Sequence, residues 1–250
     1  MKKFTMLCLA ACLILASNAA FAKTITLDKD TKLVPQGWTV ADDDIKFKKN
    51  TSVTLTDNCE VVQGVLASDT YLRPTGWKNL ASNYYYVESS AAFFPPRFFY
   101  HPFRPGLVIP ADGHVRYMGN KSVTFALDGT VLSGTIDNDV VLQLTDTGYG
   151  FVRFKNDTEL SFYEDGKIKS GTLAEATKLR PRGWQHNLHD EGAGFIEFKS
   201  GTAISFDEAG LVTKGSLSKK ALWYQADGSS QELIAKVPVE FSADGVKQGE

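Results

Sequence analysis

Cysteine is scarce in this chain. Its three cysteines are Cys8, Cys12 and Cys59, and the first two lie in an N-terminal segment that we expect to be removed. Cys59 would then be alone, so no disulfide could form within the mature chain. An odd cysteine in an exported protein indicates a free thiol or a bridge to another molecule. In the alternative, Cys59 only occupies a turn position that glycine fills elsewhere.

Long apolar runs are missing beyond residue 22, where no stretch reaches the ~18 residues that a transmembrane helix needs. The first 22 residues combine a basic start, an apolar run over Met6–Ala16 and a small-x-small site at Ala20–Ala22. This pattern predicts a signal peptide cleaved after Ala22 and export to the periplasm or the cell exterior. In the alternative, Leu9–Cys12 is a lipidation signal and Cys12 becomes the N-terminus.

An excess of positive charge is also missing. The chain has 27 basic and 29 acidic residues, and without Lys2 and Lys3 the net charge is −4. A chain with more acidic than basic residues lacks the overall positive charge that is typical of nucleic-acid-binding proteins. We therefore expect no nucleic-acid partner.

Known catalytic strings are absent: the sequence contains no G-x-S-x-G, H-E-x-x-H, C-x-x-C or P-loop motif. Two segments offer metal-ligand chemistry, His186–Glu191 for Zn²⁺ and Asp42–Asp44 for Ca²⁺. We interpret both as solvated polar loops, and no carboxylate pair stands out for glycoside hydrolysis. The sequence thus predicts no catalytic residue, no metal site and no cofactor, and it favours a protein that is not an enzyme.

What the sequence does contain is a repeated pattern. Its copies align on a turn position, with an apolar residue four before it and, in the first four copies, a glycine five after it. The turn positions are Cys59, Gly129, Gly166, Gly210 and Gly245. Such a period indicates an array of supersecondary units. Four copies and two complementary terminal halves make about five units of 35–44 residues.

The third copy shows the unit most clearly. Phe151–Lys155 and Leu160–Phe162 alternate apolar and polar residues, as strands do when one face is buried. The turn signal Asn156-Asp157 between them predicts an antiparallel hairpin. Because charged residues occupy the intervening positions, the pattern favours an all-β, curled open meander sheet with one wet face. The alternative is a five-bladed β-propeller closed by the two terminal halves.

A second signature, L-x-P-x-G-W, recurs at Leu33–Trp38, Leu72–Trp77 and Leu179–Trp184. Proline lacks a backbone donor, so the segment should lie at a strand end or a sheet edge. We expect each tryptophan to pack across the boundary to the next unit. The alternative is an exposed aromatic ring that stacks on a ligand.

The string Phe-x-x-x-Gly-x-h-x-x-Gly-x-Leu, in which h is apolar, runs from Phe162 to Leu173. It resembles the repeats of MORN-type proteins. The resemblance implies hairpin units stacked into an extended sheet, and a scaffold or binding role without catalysis. The period here is nearly twice that of such repeats.

One insertion, residues 78–114, interrupts the single β-repeat domain expected over 23–250. Because of it, Cys59 and Gly129 lie 70 residues apart, against 37, 44 and 35 between the later turn positions. The insertion is rich in aromatic residues and proline, and it has no acidic residue between Glu88 and Asp112. Long insertions are usually either functional or disordered, and this one is too rich in aromatic residues to be disordered. The candidate contact residues are Tyr85, Phe94, Arg97, Phe98, Phe99, Tyr100, His101, Phe103 and Arg104.

These features predict an exported, non-catalytic binding or scaffold protein of the cell envelope, which contacts a protein or glycan partner through the insertion. In one alternative the insertion is a lid over the sheet, and in another it contacts a membrane surface. Two further alternatives concern the whole protein. It could be a carbohydrate-active enzyme or glycan-binding protein on a propeller, or an oligomeric structural protein of the envelope.

Overall fold

The computed structural model describes residues 23–39, 44–77, 113–144, 151–188 and 192–248. These residues form 21 strands and one 3-10 helix, Trp184–Asn187. The strands are β1 (Lys23–Thr26), β2 (Thr31–Leu33), β3 (Ile45–Phe47), β4 (Ser52–Leu55), β5 (Val61–Val65), β6 (Thr70–Leu72), β7 (Val115–Tyr117), β8 (Ser122–Phe125), β9 (Val131–Thr135), β10 (Val140–Gln143), β11 (Phe151–Phe154), β12 (Glu159–Phe162), β13 (Ile168–Thr172), β14 (Thr177–Leu179), β15 (Ile196–Phe198), β16 (Ala203–Phe206), β17 (Val212–Ser216), β18 (Ala221–Tyr224), β19 (Ser230–Leu233), β20 (Pro238–Phe241) and β21 (Val246–Gln248).

Eleven of these strands form one antiparallel sheet, the main sheet, in the order β1-β4-β5-β8-β9-β12-β13-β16-β17-β20-β21. The other ten pair as five two-stranded hairpins, β2-β3, β6-β7, β10-β11, β14-β15 and β18-β19. The chain therefore alternates between a pair of neighbouring main-sheet strands and one hairpin of a second layer. The all-β meander is confirmed, and β1 and β21 are the ends of an open sheet.

The period-2 alternation explains how the two layers meet. In β12, Leu160 and Phe162 are 1% and 3% exposed, while Glu159 faces solvent. In the second layer, Phe47 and Phe154 are fully buried. Rings of the two layers meet edge to face, with centroids 6.4 Å apart for Phe47–Phe125 and Phe154–Phe206 and 6.0 Å apart for Phe198–Phe241. The second layer thus covers the apolar face of the main sheet.

The propeller alternative and the predicted hairpin at Asn156-Asp157 are both wrong. The single eleven-stranded sheet replaces the separate four-stranded blades that a propeller needs. The turn at Asn156-Asp157 does not close a hairpin, because β11 pairs with β10 while β12 pairs with β9 and β13. The physical reason is that Val152 and Phe154 must face the main sheet to be buried. The turn therefore carries the chain from one layer to the other.

Left-handed backbone recurs at the aligned turn positions of the main sheet. Gly129, Gly166 and Gly210 have φ angles of 80°, 88° and 76°, and Cys59 has 63°. Gly245 aligns with them in sequence but has no positive φ. Cys59 thus occupies a conformation that favours glycine, in agreement with its interpretation as a turn residue, and it forms no disulfide within the described part of the chain.

Candidate functional site

The connections of this fold differ sharply in how much their lengths vary. Those that join the two layers are all four residues long, and the turns between paired main-sheet strands are four or five. The connections inside the second-layer hairpins, by contrast, span 34–44, 73–114, 144–150, 180–195 and 225–229. All the irregular spacing in the sequence therefore arises at one kind of connection.

The hairpin connections that carry L-x-P-x-G-W begin beside the main-sheet turns. Pro35, Pro74 and Pro181 form parallel bridges with Val61, Val131 and Val212, the first residues of β5, β9 and β17. The glycines of the signature lie against later main-sheet turns: Gly37 against 127–129, Gly76 against Gly166 and Gly183 against Ser242. We call this side of the molecule, with its hairpin connections and main-sheet turns, the loop edge. The four-residue connections between the layers form the opposite edge.

Each signature forms a tight turn. The backbone N–H of the tryptophan donates to the proline carbonyl three residues earlier, at 3.2 Å for Trp38, 3.1 Å for Trp77 and 3.2 Å for Trp184. The glycine before each tryptophan has a φ angle of 76° or 77°. This is the third position of a type II turn, which requires a positive φ and therefore selects glycine.

The packing prediction is confirmed for Trp38. Its Nε1 donates to the carbonyl of Gly129 at 2.7 Å, in the turn between β8 and β9. A Cβ atom on Gly129 would lie 2.2 Å from the Trp38 ring, so glycine is the residue that admits this contact. Trp38 therefore joins two neighbouring units.

Trp77 packs against one residue before the insertion and one residue near the end of the insertion. The Arg73 guanidinium lies 4.2 Å above its ring, in a cation–π contact. Gly113, at the far end of the insertion, lies against the same ring, where a Cβ atom would be 2.5 Å away. We call Arg73, Trp77 and Gly113 the insertion neck, because they bring the chain just before the insertion into contact with the chain near its end.

The same arrangement recurs at residues 180–195. The Arg180 guanidinium lies 4.0 Å from the Trp184 ring centre and 4.3 Å from that of Phe195. Gly194 lies against Trp184, where a Cβ atom would be 3.1 Å from the ring, and Arg180 Nε donates to the carbonyl of Ala193 at 3.3 Å. This second neck matches the first residue for residue at Arg, Trp and Gly.

The necks were not found by sequence reasoning, although a signal was present. The variable residue after leucine is arginine in Leu72-Arg73-Pro74 and Leu179-Arg180-Pro181, the copies followed by the two longest hairpin connections. In the copy with the shorter connection, the same position is Val34. In both copies this arginine stacks on the tryptophan at the base of the long connection.

Acidic side chains of the main-sheet turns are used to order those turns. Asp207 Oδ2 accepts from Arg182 Nε at 2.6 Å, and its Oδ1 accepts from the backbone N–H groups of Ala209 and Leu211. Asp128 Oδ1 accepts from the hydroxyl of Thr130 at 2.6 Å. Such bonds fix the backbone of these two turns at the base of the loop edge.

The aromatic content differs between the two edges. Three of the four tryptophans of the chain, Trp38, Trp77 and Trp184, lie at the loop edge. The four-residue connections of the opposite edge contain no aromatic residue in any of their ten occurrences among the described strands. Among the described connections, tryptophan is thus concentrated at the loop edge.

The candidate contact residues of the insertion lie outside the described residues. They are Tyr85, Phe94, Arg97, Phe98, Phe99, Tyr100, His101, Phe103 and Arg104. The structure describes Trp77, just before the insertion, and the last two residues of the insertion, Gly113 and His114. The assignment of the contact residues therefore stays a prediction.

The structure describes part of each candidate metal segment, Asp42–Asp44 and His186–Glu191. Asp44 and His186 are exposed, whereas Asp42, Asp43 and His189–Glu191 lie outside the described residues. Within the described part of the chain, no group of three His, Cys, Asp or Glu side chains could hold a metal ion.

Among the described residues, the carboxyl groups whose pKa departs clearly from the ordinary value all move downwards. They are Asp30, Asp165, Glu197, Asp227 and Glu240. The main causes are hydrogen bonds, for example from the Ser218 hydroxyl to Glu197 and from the Lys214 ammonium to Glu240. A glycosidase acid needs the opposite shift, so none of these five groups has the character of one.

No helix in the described part of the chain is long and apolar enough to cross a membrane. Comparison with protein-family models, with curated proteins and with solved structures finds no match to this chain.

Proposed function

We propose that this protein is an exported, non-catalytic binding or scaffold module of the cell envelope. Its contact surface is the loop edge, and the insertion 78–114 is the main contact element. The observation that carries the proposal is the confinement of length variation to the loop edge. Insertions in repeat architectures map to one face, which is often the binding face.

The composition of the loop edge supports the same function. Tryptophan, other aromatic residues and arginine are enriched in the cores of protein interfaces. The described residues of the loop edge include Trp77, Trp184 and Arg73. The insertion adds Phe98, Phe99 and Tyr100 with Arg97 and Arg104. A rigid base with a closed neck presents such residues at low entropic cost.

A photo-crosslinking experiment in the native envelope tests this proposal. A photoreactive residue replaces His101 in one variant and Lys220, on the opposite edge, in the matched control. We expect one discrete crosslinked partner from position 101 and none from position 220. Adding Phe98→Ser, Phe99→Ser and Tyr100→Ser should abolish the crosslink while the melting temperature stays nearly unchanged.

The lid alternative makes the opposite prediction. If the insertion covers apolar sheet, the triple serine variant loses aromatic burial and unfolds at a much lower temperature. That result, without a crosslinked partner, would contradict the proposal.

The structure also bears on the alternative functions. The carbohydrate-active enzyme was expected on a propeller with a central channel, and the open sheet has another topology. The oligomeric structural protein requires self-association, and Cys59 is half-buried in a turn at the loop edge. Size-exclusion chromatography with and without reductant tests it: a reductant-sensitive oligomer would favour that function over the proposed one.

A further inference from the structure

A row of polar side chains crosses the outer face of the main sheet. Cross-strand pairing aligns one residue from each strand, so neighbours along the row are about 4.8 Å apart. The row is Thr24, Thr54, Gln63, Thr124, Ser133, Ser161, Ser170, Ser205, Lys214, Glu240 and Lys247. It carries no charge over its first eight positions and three charges over its last three.

The charged end of the row opens into a groove of about 700 Å³. Its lining includes the last four residues of the row, Ser205, Lys214, Glu240 and Lys247, together with Gln225 and Asp244. The volume lies within the range of small-molecule sites, ~300–1,000 Å³. All of the lining residues lie between positions 205 and 247, so the groove lies outside the insertion. Its turn residues, Gln225, Ser242, Asp244 and Gly245, belong to the loop edge.

The walls of the groove are held in place by contacts of the described residues. Lys214 Nζ lies 2.7 Å from Glu240 Oε1, yet both side chains are more than half exposed. The turn beneath is closed by Ser242 Oγ, which donates to the Gly245 carbonyl at 2.8 Å. The Gln225 amide packs against Gly245, where a Cβ atom would be 2.2 Å away. Lys214 and Glu240 are therefore accessible, and the turn below them is closed by hydrogen bonds.

The chemistry of the groove selects a class of ligand. Two ammonium groups, Lys214 and Lys247, are balanced by two carboxylates, Glu240 and Asp244, so neither an anion nor a cation is favoured. Carboxylates accept, ammonium groups donate, and amide and hydroxyl groups do both. Sugar hydroxyl groups need this mixture of donors and acceptors, and hydrogen bonds to charged groups are the stronger ones.

We propose that the groove binds a neutral, hydroxyl-rich glycan, and that a longer chain continues over the uncharged part of the row. This goes beyond the proposed function, because it assigns a ligand class to a site that lies outside the insertion, where the outer face of the main sheet meets the last turns of the loop edge. The groove is open, so affinity for a single oligosaccharide is expected to be weak, and attachment to a polymer would rely on many such contacts.

Nuclear magnetic resonance titration of the whole mature chain tests the site. The probes are cellohexaose and chitohexaose as neutral glycans and hexagalacturonate as an acidic one. We expect at least one neutral probe to shift the amide signals of β17, β20 and β21, and hexagalacturonate to leave them unchanged. Shifts with hexagalacturonate alone, shifts elsewhere only, or no shifts at millimolar probe would each overturn the proposal.

Matched variants then test whether the Glu240 carboxylate contributes to glycan binding. Glu240→Gln keeps the shape but removes a charged acceptor, and it should weaken binding about tenfold, the loss of one charge-assisted hydrogen bond. Glu159→Gln makes the same change on the same sheet face outside the groove and should bind like the unmodified protein. Equal affinity of both variants would contradict the assignment. The triple serine variant of the insertion should also bind the glycan normally, so the two proposals can fail separately.

Discussion

Four glycines of the main sheet lie directly beneath aromatic rings of the second layer. The pairs are Gly64–Phe47, Gly134–Tyr117, Gly171–Phe154 and Gly215–Phe198, and a Cβ atom on each glycine would lie 2.5–2.8 Å from the ring. None of these glycines has a positive φ. Glycine is required here for space and not for backbone conformation, because interiors are packed without room for an added methyl group.

We expect Gly171→Ala to lower the free energy of unfolding by ~1–3 kcal/mol, the usual cost of overpacking. The clash is with the Phe154 ring, so the same change should cost less in a Phe154→Leu background. Urea unfolding of the two single variants and the double variant gives the coupling between the sites. Additive effects would show that the ring contact is not the cause.

Tyr117 stands where the neighbouring units have phenylalanine. Its side chain is buried, burial raises its pKa, and its hydroxyl has no hydrogen-bond partner among the described residues. A buried, unsatisfied polar group costs about 1–3 kcal/mol. Tyr117→Phe should therefore raise the urea midpoint, whereas Tyr71→Phe, at a residue 61% exposed, should leave it unchanged. A lower midpoint for Tyr117→Phe would mean that the hydroxyl does have a partner in solution.

Cys59 adopts the left-handed backbone that glycine adopts in three other copies. That conformation costs roughly 1–2 kcal/mol for a residue with a Cβ atom. Cys59→Gly should raise the melting temperature, and Cys59→Ser, which also lacks the thiol but keeps the Cβ atom, should not. Similar gains in both variants would assign the effect to the thiol.

At the scale of the element, the two necks are duplicates on loops of different length. Trp77 and Gly113 flank residues 78–112 as Trp184 and Gly194 flank residues 185–193. The hairpin beneath the insertion keeps its register, with Leu72 opposite Val115 and Thr70 opposite Tyr117. The insertion therefore leaves the β6–β7 hairpin undisturbed and connects to it through the neck.

This predicts that residues 78–112 can be replaced by a copy of residues 185–193 without loss of the fold. The melting temperature should change by only a few degrees, because loop length contributes weakly to stability. In a Trp77→Ala background the same replacement should be clearly less stable, since the neck is then open. Failure of the first chimera to fold, by circular dichroism, would favour the lid.

At the scale of the whole molecule, the acidic groups with lowered pKa values are spread over both layers and both edges. The backbone N–H of Lys49 lowers the pKa of Asp30, and Ser229 lowers that of Asp227. For Asp165, burial acts in the opposite direction but the hydrogen bonds from Lys167 prevail. A carboxyl group with a lowered pKa stabilises the fold above its unfolded pKa, about 4.

That stabilisation is lost as pH falls through the lowered pKa values. We expect the melting temperature to be flat from pH 7 to about pH 5 and to decline gradually below about pH 4, since exposed groups each contribute little. Calorimetry over this range measures it. A steep loss above pH 5 would implicate a different titrating group.

Much of the local structure could be predicted from the sequence. Alternation located β11 and β12 within one residue of their ends, and the turn glycines marked three of the left-handed positions. The layer to which each strand belongs could not be predicted. Val152 and Phe154 in the second layer alternate with polar or exposed residues just as Leu160 and Phe162 do in the main sheet. The reason is that each layer buries one face and exposes the other to solvent.

The sequence by itself determined the strands, their buried faces, the tight turns and the existence of an insertion, because these depend on residues a few positions apart. Only the tertiary structure decided which strands pair, that hairpin connections gather at one edge, and that the insertion has a neck. These depend on contacts such as that of Trp38 with Gly129, 91 residues away. Period-2 alternation says which face is buried and not what buries it.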